Sequence, residues 1–562
     1  MKYANWNVPE RGAEIPRALL AAGCTPLLAA ILHLRGLSDP AAARSFLRGG
    51  AETLTNPLEL TGMVDAVQRL TRAVATGEHV AVYGDYDVDG ITAACLLTDY
   101  LRFRGLTCEL YIPDRISEGY GLNAAAIDAL AEEGVTLIVT VDCGVTNLEE
   151  TAYAAQRGVD MIVTDHHECR EALPEAEAVV DPKQPDSSGV GTALAGVGVA
   201  FKLVCAMDGD ADKMLARYGD LVAVGTVADV MPLLGENRFI TRCGLQKIAA
   251  GDCRPGFLAL AEEAGVRDKP FTASTVGFSL APRINAAGRL GEPSLAVRLL
   301  EETDLRRARV LAAELCAKNR ERQALETEIW REAVERLHGE QPDAPIVLAS
   351  EGWHPGVIGI VASRLTDAYS VPAVMICLDG ESGKGSCRST GSFNLFEALS
   401  ACSDCLEGFG GHAMAAGVTV RRGCVDELRS RLREYYLSHP DRTLPALEAD
   451  LLVDSPELLT MACVESLDEL EPCGNGNPRP LLYMENVSLD SVQPIGGGKH
   501  LRLKLAKFGQ TYDGVFFSQT APALGAHAGQ RCDIVFAPQI NEFHGRRSVQ
   551  LVITDLRRSK EG

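Results

Sequence analysis

The sequence predicts an α/β protein: a parallel-sheet domain joined by a long helix to a second α/β domain, followed by a small C-terminal β-barrel. Apolar strand-like runs alternate with helical segments between Glu78 and Glu168, which is typical of a parallel sheet. A charged helical segment spans Arg306–Leu337, and short β-like runs separated by glycines follow Pro445. The expected segments are an N-terminal helical part (1–50), the parallel-sheet domain (51–300), the connecting helix (301–340), the second α/β domain (341–445) and the barrel (446–562).

Composition places the chain among ordinary globular proteins. It has 562 residues, 46% apolar and 23% charged, enough for several domains. The longest apolar stretch, Ala193–Met207, is short and contains Lys202, so it predicts a buried helix rather than a membrane span. The first residues contain no apolar core of a secretion signal. The 17 cysteines show no framework spacing, which favours reduced thiols and a cytoplasmic location.

The net charge of −22 argues against a protein that coats nucleic acid non-specifically. It still allows a local basic channel, because nearby charges set the field within a groove.

The first sheet is predicted from four apolar runs, each followed by a helical segment or a polar turn. The runs are His79–Gly84, Cys108–Pro113, Thr136–Gly144 and Val159–Glu168. They are continuously apolar, which indicates strands covered on both faces. Ligands of such sheets bind beyond the carboxyl ends of the strands.

Acidic and imidazole side chains gather at those ends. Four segments carry them: Asp85, Asp87 and Asp89 after the first strand; Asp142 after the third; Asp165, His166 and His167 after the fourth; and Asp229 within the apolar segment Leu221–Leu233. Carboxylates brought together repel one another unless a cation joins them. The pattern therefore predicts a catalytic metal site.

Simpler interpretations explain single residues better than the whole set. An EF-hand loop counted from Asp85 would need Glu at position 12, where Leu96 stands. A solvated turn, a helix N-cap at Asp142, or a buried hydrogen-bonded pair of His166 and His167 would each explain one part.

The second α/β region begins with the strand Ala344–Ser350 and contains glycine-rich loops with Ser386, Arg388 and His412. Such loops suit phosphate recognition through backbone N–H groups and a guanidinium. The arginines of the connecting helix are most simply a solvated face. A lone C-x-x-C at Cys402 lacks the second pair that zinc would need.

The C-terminal region predicts about five strands in a barrel such as an OB-fold. From residue 490 to 562 there are ten Lys and Arg against six Asp and Glu. Basic strands with aromatics suit single-strand binding, and an aromatic set lining the barrel core is the alternative. The aromatics are Phe508, Tyr512, Phe516, Phe517 and Phe543, and the candidate nucleic-acid-binding residues are Lys499, Arg502, Lys504, Arg546 and Arg547.

The motifs GDYDVDG, VDCG, TDHHE and GTVADVMPL resemble the four motifs of the DHH phosphoesterase superfamily. GKGSCRSTGSFNL and GFGGHAMAAG resemble its DHH-associated domain, and the resemblance covers roughly residues 50–562. With a terminal OB-like module, the order is similar to bacterial single-strand-specific exonucleases of this superfamily. That resemblance implies a 5′→3′ exonuclease that releases nucleotides from single-stranded DNA in repair and recombination. It implies a monomer without membrane association, with a helicase or a single-strand-binding protein as partner.

The resemblance also implies the metal ligands. Asp87 and Asp89 each serve one of two divalent cations, with Asp85 beside them, and Asp142 bridges the two. His166 and Asp229 complete one ligand set, while Asp165 orients His166 and His167 faces the scissile phosphate. Mn²⁺ is expected to be preferred over Mg²⁺, because imidazole suits a transition ion better. Tyr83 departs from the pattern, since many relatives carry a metal-binding histidine there.

For the substrate, the resemblance implies that Arg115 and Tyr120 line the nucleotide path and that Ser386 and Arg388 grip a phosphate. Arg283 and Arg289 are further candidates, and His412 is expected to contact the phosphate at the reacting end. Each arginine alone is equally consistent with a surface or ion-pair role.

Two alternatives remain open from the sequence. One is another phosphoesterase of the superfamily, acting on pyrophosphate, cyclic dinucleotides or very short oligonucleotides. The other is a non-catalytic scaffold, which would have lost metal ligands that this chain keeps.

Overall fold

The structure is a computed structural model that describes residues 3, 5–115, 117–119, 121–440, 443, 446–543 and 545–559. The chain forms two compact units. One comprises Met1–Gly50, Thr443–Glu471 and Pro478–Gly562, and the other comprises Ala51–Arg442 and Pro472–Asn477.

The first residues contain a strand and three helices: β1 (Asn5–Asn7), α1 (Arg17–Ala21), α2 (Pro26–Leu34) and α3 (Pro40–Arg48). Both longer helices begin with a side-chain cap followed by proline. Thr25 accepts from the N–H of Leu28, and Asp39 accepts from Ala41 and Ala42, which satisfies donors that have no partner within the helix. Strand β1 is not foreseen by the sequence, because its partner lies more than 400 residues later.

The predicted parallel sheet is confirmed. Its elements follow in chain order as α4 (Met63–Thr76), β2 (His79–Gly84), α5 (Val88–Phe103), β3 (Thr107–Tyr111), α6 (Ala124–Glu132), β4 (Leu137–Val141), α7 (Leu148–Gln156), β5 (Asp160–Thr164) and β6 (Ala178–Val180). The strand order is β3-β2-β4-β5-β6, and all pairs are parallel. Val80 and Val82 enter one hydrophobic cluster, and Ala81 and Tyr83 enter another. Strand β2 is therefore covered on both faces, as its uninterrupted apolar run predicts.

A helical layer completes this part of the unit. It comprises α8 (Gly196–Asp208), α9 (Ala211–Ala228), α10 (Gly235–Ala250), α11 (Pro255–Glu263), α12 (Ala273–Thr275), a π-helical turn (Val276–Leu280), α13 (Ala281–Arg289), α14 (Pro293–Glu301) and the connecting helix α15 (Leu305–Arg336). Helix α8 is the buried helix expected from Ala193–Met207. The ammonium of Lys202 on α8 is buried and pairs with Glu236 and Thr55. None of the helices in the described residues has the length and apolarity needed to cross a bilayer.

One arginine of α15 corrects the prediction of a solvated face. Arg322 is 8% exposed, and its guanidinium lies 2.6 Å from Glu326 and 2.9 Å from the amide oxygen of Asn319. Arg306, in contrast, is exposed as predicted.

The second α/β region contains β7 (Ile346–Ser350), α16 (Ile358–Tyr369), β8 (Ala373–Asp379), β9 (Ser382–Arg388), α17 (Leu395–Ser400), β10 (Leu406–Gly411), β11 (Ala415–Arg421) and α18 (Val425–Ser438). Its sheet has the order β10-β11-β9-β8-β7, in which only β7 and β8 run parallel. Cys402 and Cys405 are buried free thiols within its hydrophobic core. This placement favours a packing role over zinc binding.

The C-terminal elements are β12 (Ala446–Glu448), β13 (Leu451–Leu452), α19 (Met461–Ser466), β14 (Leu482–Ile495), β15 (His500–Lys507), β16 (Gln510–Phe516), β17 (Arg531–Phe543) and β18 (Arg546–Arg558). Strands β14, β15, β16, β18 and β17 close into a five-stranded barrel through the pairing of β17 with β14. The predicted OB-like barrel is thus confirmed.

The aromatic residues of the barrel divide between its two faces. Tyr512 and Phe516 are buried in the barrel, whereas Phe517 is 54% and Phe543 is 65% exposed. The predicted stacking function is therefore restricted to the exposed members.

The N-terminal strand is fixed to this same unit. Strand β1 pairs in parallel with β12. The indole N–H of Trp6 and the backbone N–H of Tyr3 both donate to Oδ2 of Asp555, at 3.0 and 3.1 Å. Asp555 is fully buried, so these hydrogen bonds join the two ends of the chain in the interior of the unit.

Candidate metal centre and substrate pocket

The carboxyl edge of the parallel sheet carries the predicted cluster. Asp85 follows β2, Asp142 follows β4, and Asp165 to His167 follow β5. Because neighbouring parallel strands end at one edge, residues more than 50 positions apart in the chain are placed together. All of these side chains except that of His167 are buried.

Asp87 and Asp89 reach the site from the start of a helix. Asp87 is the N-cap of α5, and its carboxylate accepts the N–H of Gly90 at 3.1 Å. Helix α5 therefore begins at Val88, and Asp89 lies in its first turn.

Asp229 reaches the site from the end of a helix, whereas the sequence grouped it with residues at the ends of strands. It ends α9 as the C-cap and does not follow a strand of the sheet. The buried helix α9 contributes this carboxylate because it packs against α5 and α8.

The side chains form three overlapping groups of possible metal ligands. Within each group, one ligand atom from every residue lies within 4.8 Å of the others. The groups are Asp85, Asp87 and Asp142; Asp89, His166 and Asp229; and Asp142, His166 and His167. Nε2 of His166 is 3.1 Å from Asp142, 3.6 Å from Asp229 and 3.8 Å from Asp89. Asp142 and His166 each belong to two of the groups. Of the two, Asp142 has the carboxylate with two oxygens that a bridging ligand needs.

Hydrogen bonding shows that this donor set fits divalent cations. Oδ1 of Asp85, Oδ1 of Asp142 and Nε2 of His166 are buried, and none has a hydrogen-bond partner among the described residues. Buried polar atoms are almost always paired, so unpaired oxygen and nitrogen atoms that converge on one space suit a metal. Carboxylate oxygens with imidazole nitrogen are the ligands of Mn²⁺ and related ions.

The pKa values of the clustered side chains also favour a bound cation. Burial, followed by the charges of neighbouring aspartates, raises the pKa values of Asp89 and Asp142 well above their usual range. Burial and the charge of Asp87 raise the pKa of Asp85 to about 8 and that of Asp229 to about 7. Burial lowers the pKa of His166 to about 4, with a further contribution from His167. His166 is therefore neutral and available as a ligand, and a cation would compensate the carboxylates.

Asp165 holds a different ring from the one predicted. Its Oδ1 lies 2.7 Å from Nδ1 of His167 and accepts the backbone N–H of His166 at 2.7 Å, while Oδ2 accepts the N–H of Val145 at 3.0 Å. It thus orients the His167 imidazole and contacts only the backbone of His166. Burial alone would lower the pKa of His167, but the hydrogen bond and charge of Asp165 raise it to about 9.

Tyr83, the departure from the family motif, is not a ligand in this arrangement. Its hydroxyl donates to the carbonyl of Gly121 at 2.9 Å, and its ring stacks on Tyr111. The ligand groups are formed without it, with Asp85 as the carboxylate nearest in sequence.

A pocket of about 840 Å³ opens beside the cluster, between the parallel-sheet region and the second α/β region of the same unit. His167 and Asp229 line one side, and Ser386 and Arg388 on β9 line the other. The remaining lining residues are Arg115, Pro355, Gly356, Ile358, Lys384, Gly385, Gly410, Gly411, Ala415, Ala416 and Gly417. The glycines leave backbone exposed to whatever fills the pocket.

Arginines concentrate at this pocket. Arg115 lies over the ring of Tyr86 at 5.0 Å, and Arg388 donates to the hydroxyl of Ser386 at 3.1 Å. Burial, with the nearby charges of Arg115, Arg322 and Arg388, lowers the pKa of Arg289 to about 10. Several guanidinium groups close enough to repel one another indicate a place for an anion.

Arg322 is the member of this cluster that the sequence did not reveal. Glu326, four residues later, was the available signal, since that spacing on a helix supports an ion pair.

Other predicted substrate residues lie apart from the pocket lining. Arg283 donates to the carbonyl of Ser279 at 2.5 Å, and His412 is exposed, with its backbone N–H bonded to Ala415. Neither is among the lining residues. Tyr120 lies outside the described residues. On the barrel, Lys499, Arg502, Arg546, and the ion-paired Lys504 and Arg547 are exposed.

Three family models match separate stretches of the chain. Residues 79–226 match the model of the DHH family N-terminal domain, 333–437 match the DHHA1 domain, and 450–555 match the RecJ OB domain. The first and third ranges fall inside the predicted segments 51–300 and 446–562, while the second begins within the connecting helix. The five boundaries predicted from the sequence stay a prediction.

Full-length relatives decide the family. The single-stranded-DNA-specific exonuclease RecJ of Bacillus subtilis is 40% identical over 542 residues, covering 94% of this chain and 68% of its own length. That of Dickeya dadantii is 36% identical over 577 residues, covering 98% of each. The chain belongs to the RecJ family.

Solved RecJ structures match almost all of this chain. The RecJ of Thermus thermophilus in complex with Mn²⁺ matches with a TM-score of 0.84 at 31% identity, covering 99% of this chain and 80% of that one. Its complex with Mg²⁺ matches with a TM-score of 0.79 at 30% identity, covering 99% and 79%. RecJ membership thus confirms the DHH resemblance drawn from the motifs.

Proposed function

We propose that this protein is a metal-dependent exonuclease that degrades single-stranded DNA in the 5′→3′ direction to nucleotides, in repair and recombination. The observation that carries the proposal is the placement of three overlapping ligand groups at the edge of an arginine-rich pocket. RecJ relatives named as single-stranded-DNA-specific exonucleases support it.

Two divalent cations, Mn²⁺ in preference to Mg²⁺, would be held by Asp85, Asp87, Asp89, Asp142, His166 and Asp229, with Asp142 shared. When bound, such a pair supplies an activated water and stabilises the leaving oxygen of a phosphodiester. The protein keeps the His166 imidazole neutral, so its nitrogen is available as a ligand. A bound cation would displace the protons that raised pKa values keep on Asp85 and Asp229.

His167 would contact the scissile phosphate. Its side chain is 43% exposed and lines the pocket, and Asp165 fixes its ring through Nδ1. A pKa of about 9 keeps this imidazole protonated near neutral pH. It can therefore donate from Nε2 to a phosphate oxygen and stabilise charge that grows during hydrolysis.

The 5′→3′ direction of degradation would be set by the side of the pocket that Ser386 and Arg388 line. Ser386 and Arg388 on that wall, with Arg115 elsewhere in the lining, would supply hydroxyl and guanidinium donors for a terminal phosphate, a group that guanidinium binds in bidentate fashion. Arg289 is not a lining residue, but it lies close enough to Arg115 and Arg388 to add its positive charge. A strand whose 5′-phosphate occupies this wall presents its first phosphodiester to the metal ligands.

The barrel would bind the strand separately from the catalytic unit. Arg502 and Lys504 project outward from β15, and Phe517 is exposed next to His500, with ring centroids 5.5 Å apart. Basic side chains attract the phosphate backbone, and exposed rings stack on bases without strong sequence preference.

Product analysis tests the proposal. Single and double strands labelled at either end would be incubated with Mn²⁺, Mg²⁺ or a chelator. We expect mononucleotides released from the 5′ end of single strands with Mn²⁺, less with Mg²⁺, and none with chelator. Cleavage from the 3′ end, preference for duplex, or activity in chelator would overturn it.

A further inference from the structure

We propose that the first turn of α8 is a positioning element for the metal site, in which the backbone N–H groups of Gly196 and Val197 hold the Asp89 carboxylate in one fixed orientation. This inference rests on the proposed function, because it assigns a role toward the cation that Asp89 would bind.

The contacts are direct. The N–H of Gly196 donates to Oδ2 of Asp89 at 2.6 Å, and the N–H of Val197 donates to Oδ1 at 2.8 Å. Both oxygens of one carboxylate are thus engaged by successive backbone groups. The Asp89 side chain has no freedom to rotate away without breaking both bonds.

Helix α8 lacks a cap of its own. Its N-cap residue is Ala195, which provides no side-chain hydrogen bond. The first N–H groups of a helix need a partner and carry partial positive charge. Asp89, from the neighbouring helix α5, takes the place of the missing cap, so one carboxylate serves both the end of α8 and the metal site.

The site has few other positive groups near this carboxylate. Among the described residues, the ion-pair partners of Asp89 and Asp142 are histidines: His166 for both, and His167 for Asp142. The positive end of α8 supplies fixed compensation that does not depend on a proton.

Only glycine allows α8 to approach this closely. A Cβ at position 196 would lie 2.5 Å from Cβ and 2.9 Å from Cγ of Asp142. Gly196 therefore touches the proposed bridging ligand with its Cα and the Asp89 carboxylate with its N–H. A side chain there would displace at least one of the two carboxylates.

Gly196→Ala tests the role, and Gly198→Ala two positions later in α8 is its matched control. Both changes raise helix propensity by a similar amount. A Cβ at 198 would meet only the side chain of Leu194, at 3.1 Å or more. Titration calorimetry with Mn²⁺ alone is the measurement. We expect Gly196→Ala to weaken Mn²⁺ binding about 10–100-fold, the range seen when groups supporting metal ligands are removed, and Gly198→Ala to change it less than about twofold.

A backbone substitution decides the matter if Gly196→Ala does not fold. Replacing Val197 by the corresponding α-hydroxy acid turns its N–H into an ester oxygen and keeps every side chain. The same replacement at Val199 is the control, because that N–H donates to the carbonyl of Ala195 within the helix at 3.0 Å. We expect the Val197 ester to weaken Mn²⁺ binding about tenfold or more, and the Val199 ester to lower the melting temperature while leaving Mn²⁺ affinity unchanged.

Activity measurements at increasing Mn²⁺ add a second readout. A positioning role predicts that the hydrolysis rate of Gly196→Ala recovers at high Mn²⁺. Unchanged Mn²⁺ affinity in both the Gly196 and Val197 variants, or equal losses in variants and controls, would overturn the inference. If the unaltered protein binds no Mn²⁺, the proposed function fails. If it binds Mn²⁺ and hydrolyses DNA while the variants match it, only this inference fails.

Discussion

Nε2 of His166 and Oδ1 of Asp142 lie 3.1 Å apart, yet neither atom has a hydrogen-bond partner in the described part of the chain. The two atoms are close enough to bond but are directed toward a shared space instead. Asp85 and Asp229 contribute oxygens to overlapping groups around that space. This relationship favours a metal centre over a buried ion pair.

Asp142→Asn is expected to abolish hydrolysis while sparing single-strand binding. Asp142 adopts a left-handed conformation at φ 60°, which asparagine tolerates, so the change removes charge with little strain. We expect the hydrolysis rate to fall about three orders of magnitude, equivalent to about 4 kcal/mol of transition-state stabilisation. Retained Mn²⁺-dependent cleavage would contradict a bridging role. Asp181→Asn is the control, because Asp181 is buried after β6 but belongs to none of the ligand groups.

Metal uptake is expected to strengthen as pH rises from 6 to 8. Burial and the charge of Asp87 raise the pKa of Asp85 to about 8 and of Asp229 to about 7, so these groups hold protons at pH 6 that a cation must displace. The raised values also mean that the metal-free native state binds more protons than the unfolded chain, so its stability falls as pH rises through this window. The Mn²⁺-induced increase in melting temperature should therefore be larger at pH 8 than at pH 6. An equal increase at both values would refute the assignment.

Arg388→Ala is expected to reduce attack on 5′-phosphorylated ends more than on 5′-hydroxyl ends. Its guanidinium lines the pocket beside Ser386, where it would bind a terminal phosphate. Loss of a charged hydrogen bond contributes about 1.5–3 kcal/mol, so we expect roughly a tenfold or greater change in the ratio of kcat/KM values. Arg364→Ala is the control, since Arg364 pairs with Glu326 and stacks on Trp330. Equal losses on both ends would remove the proposed role of Arg388.

Phe517→Ala is expected to weaken binding of long single strands without affecting metal binding. The ring is 54% exposed, so little packing is lost, and stacking on a base contributes about 1–3 kcal/mol. Filter binding over a range of salt concentrations measures the effect. The variant should lose affinity but keep the salt dependence, because phosphate contacts of Arg502 and Lys504 remain. A lowered melting temperature with unchanged affinity would assign the ring to packing.

Asp555→Ala is expected to destabilise the unit that contains the barrel. The change removes Oδ2 of Asp555, the acceptor of the partly buried N–H groups of Trp6 and Tyr3, which costs about 1–3 kcal/mol of unfolding free energy. Denaturant unfolding followed by circular dichroism measures the change in unfolding free energy. Asp513→Ala provides the comparison, since Asp513 forms an exposed pair with Lys504 and such pairs contribute about 0–1 kcal/mol.

The sequence predicted those features whose causes are local. A buried strand followed by aspartate marks a sheet edge, and the topology of parallel strands then brings Asp85, Asp142 and His166 together. Alternating β-like runs predicted the barrel for the same reason.

Features that depend on distant contacts were missed. Asp229 lies at the end of helix α9. Arg322 is buried on α15, which packs against α13 and α16. The N–H of Gly196 on α8 donates to Asp89, which is 107 residues earlier in the chain. Every residue except proline has a backbone N–H, so a sequence motif cannot show that a particular N–H binds Asp89. The expected contact of Asp165 with the His166 ring failed because the neighbouring His167 presents Nδ1 to the same carboxylate.

The pairing of β1 with β12, together with the Trp6–Asp555 hydrogen bond, makes the unit that contains the barrel discontinuous in sequence. Trp6 and Asp555 are separated by 549 residues, and nearly the whole of the other unit, Ala51–Arg442, lies between them. Neither the N-terminal segment nor the barrel segment can therefore complete this unit alone, and a fragment that ends before β18 lacks the acceptor of the Trp6 indole.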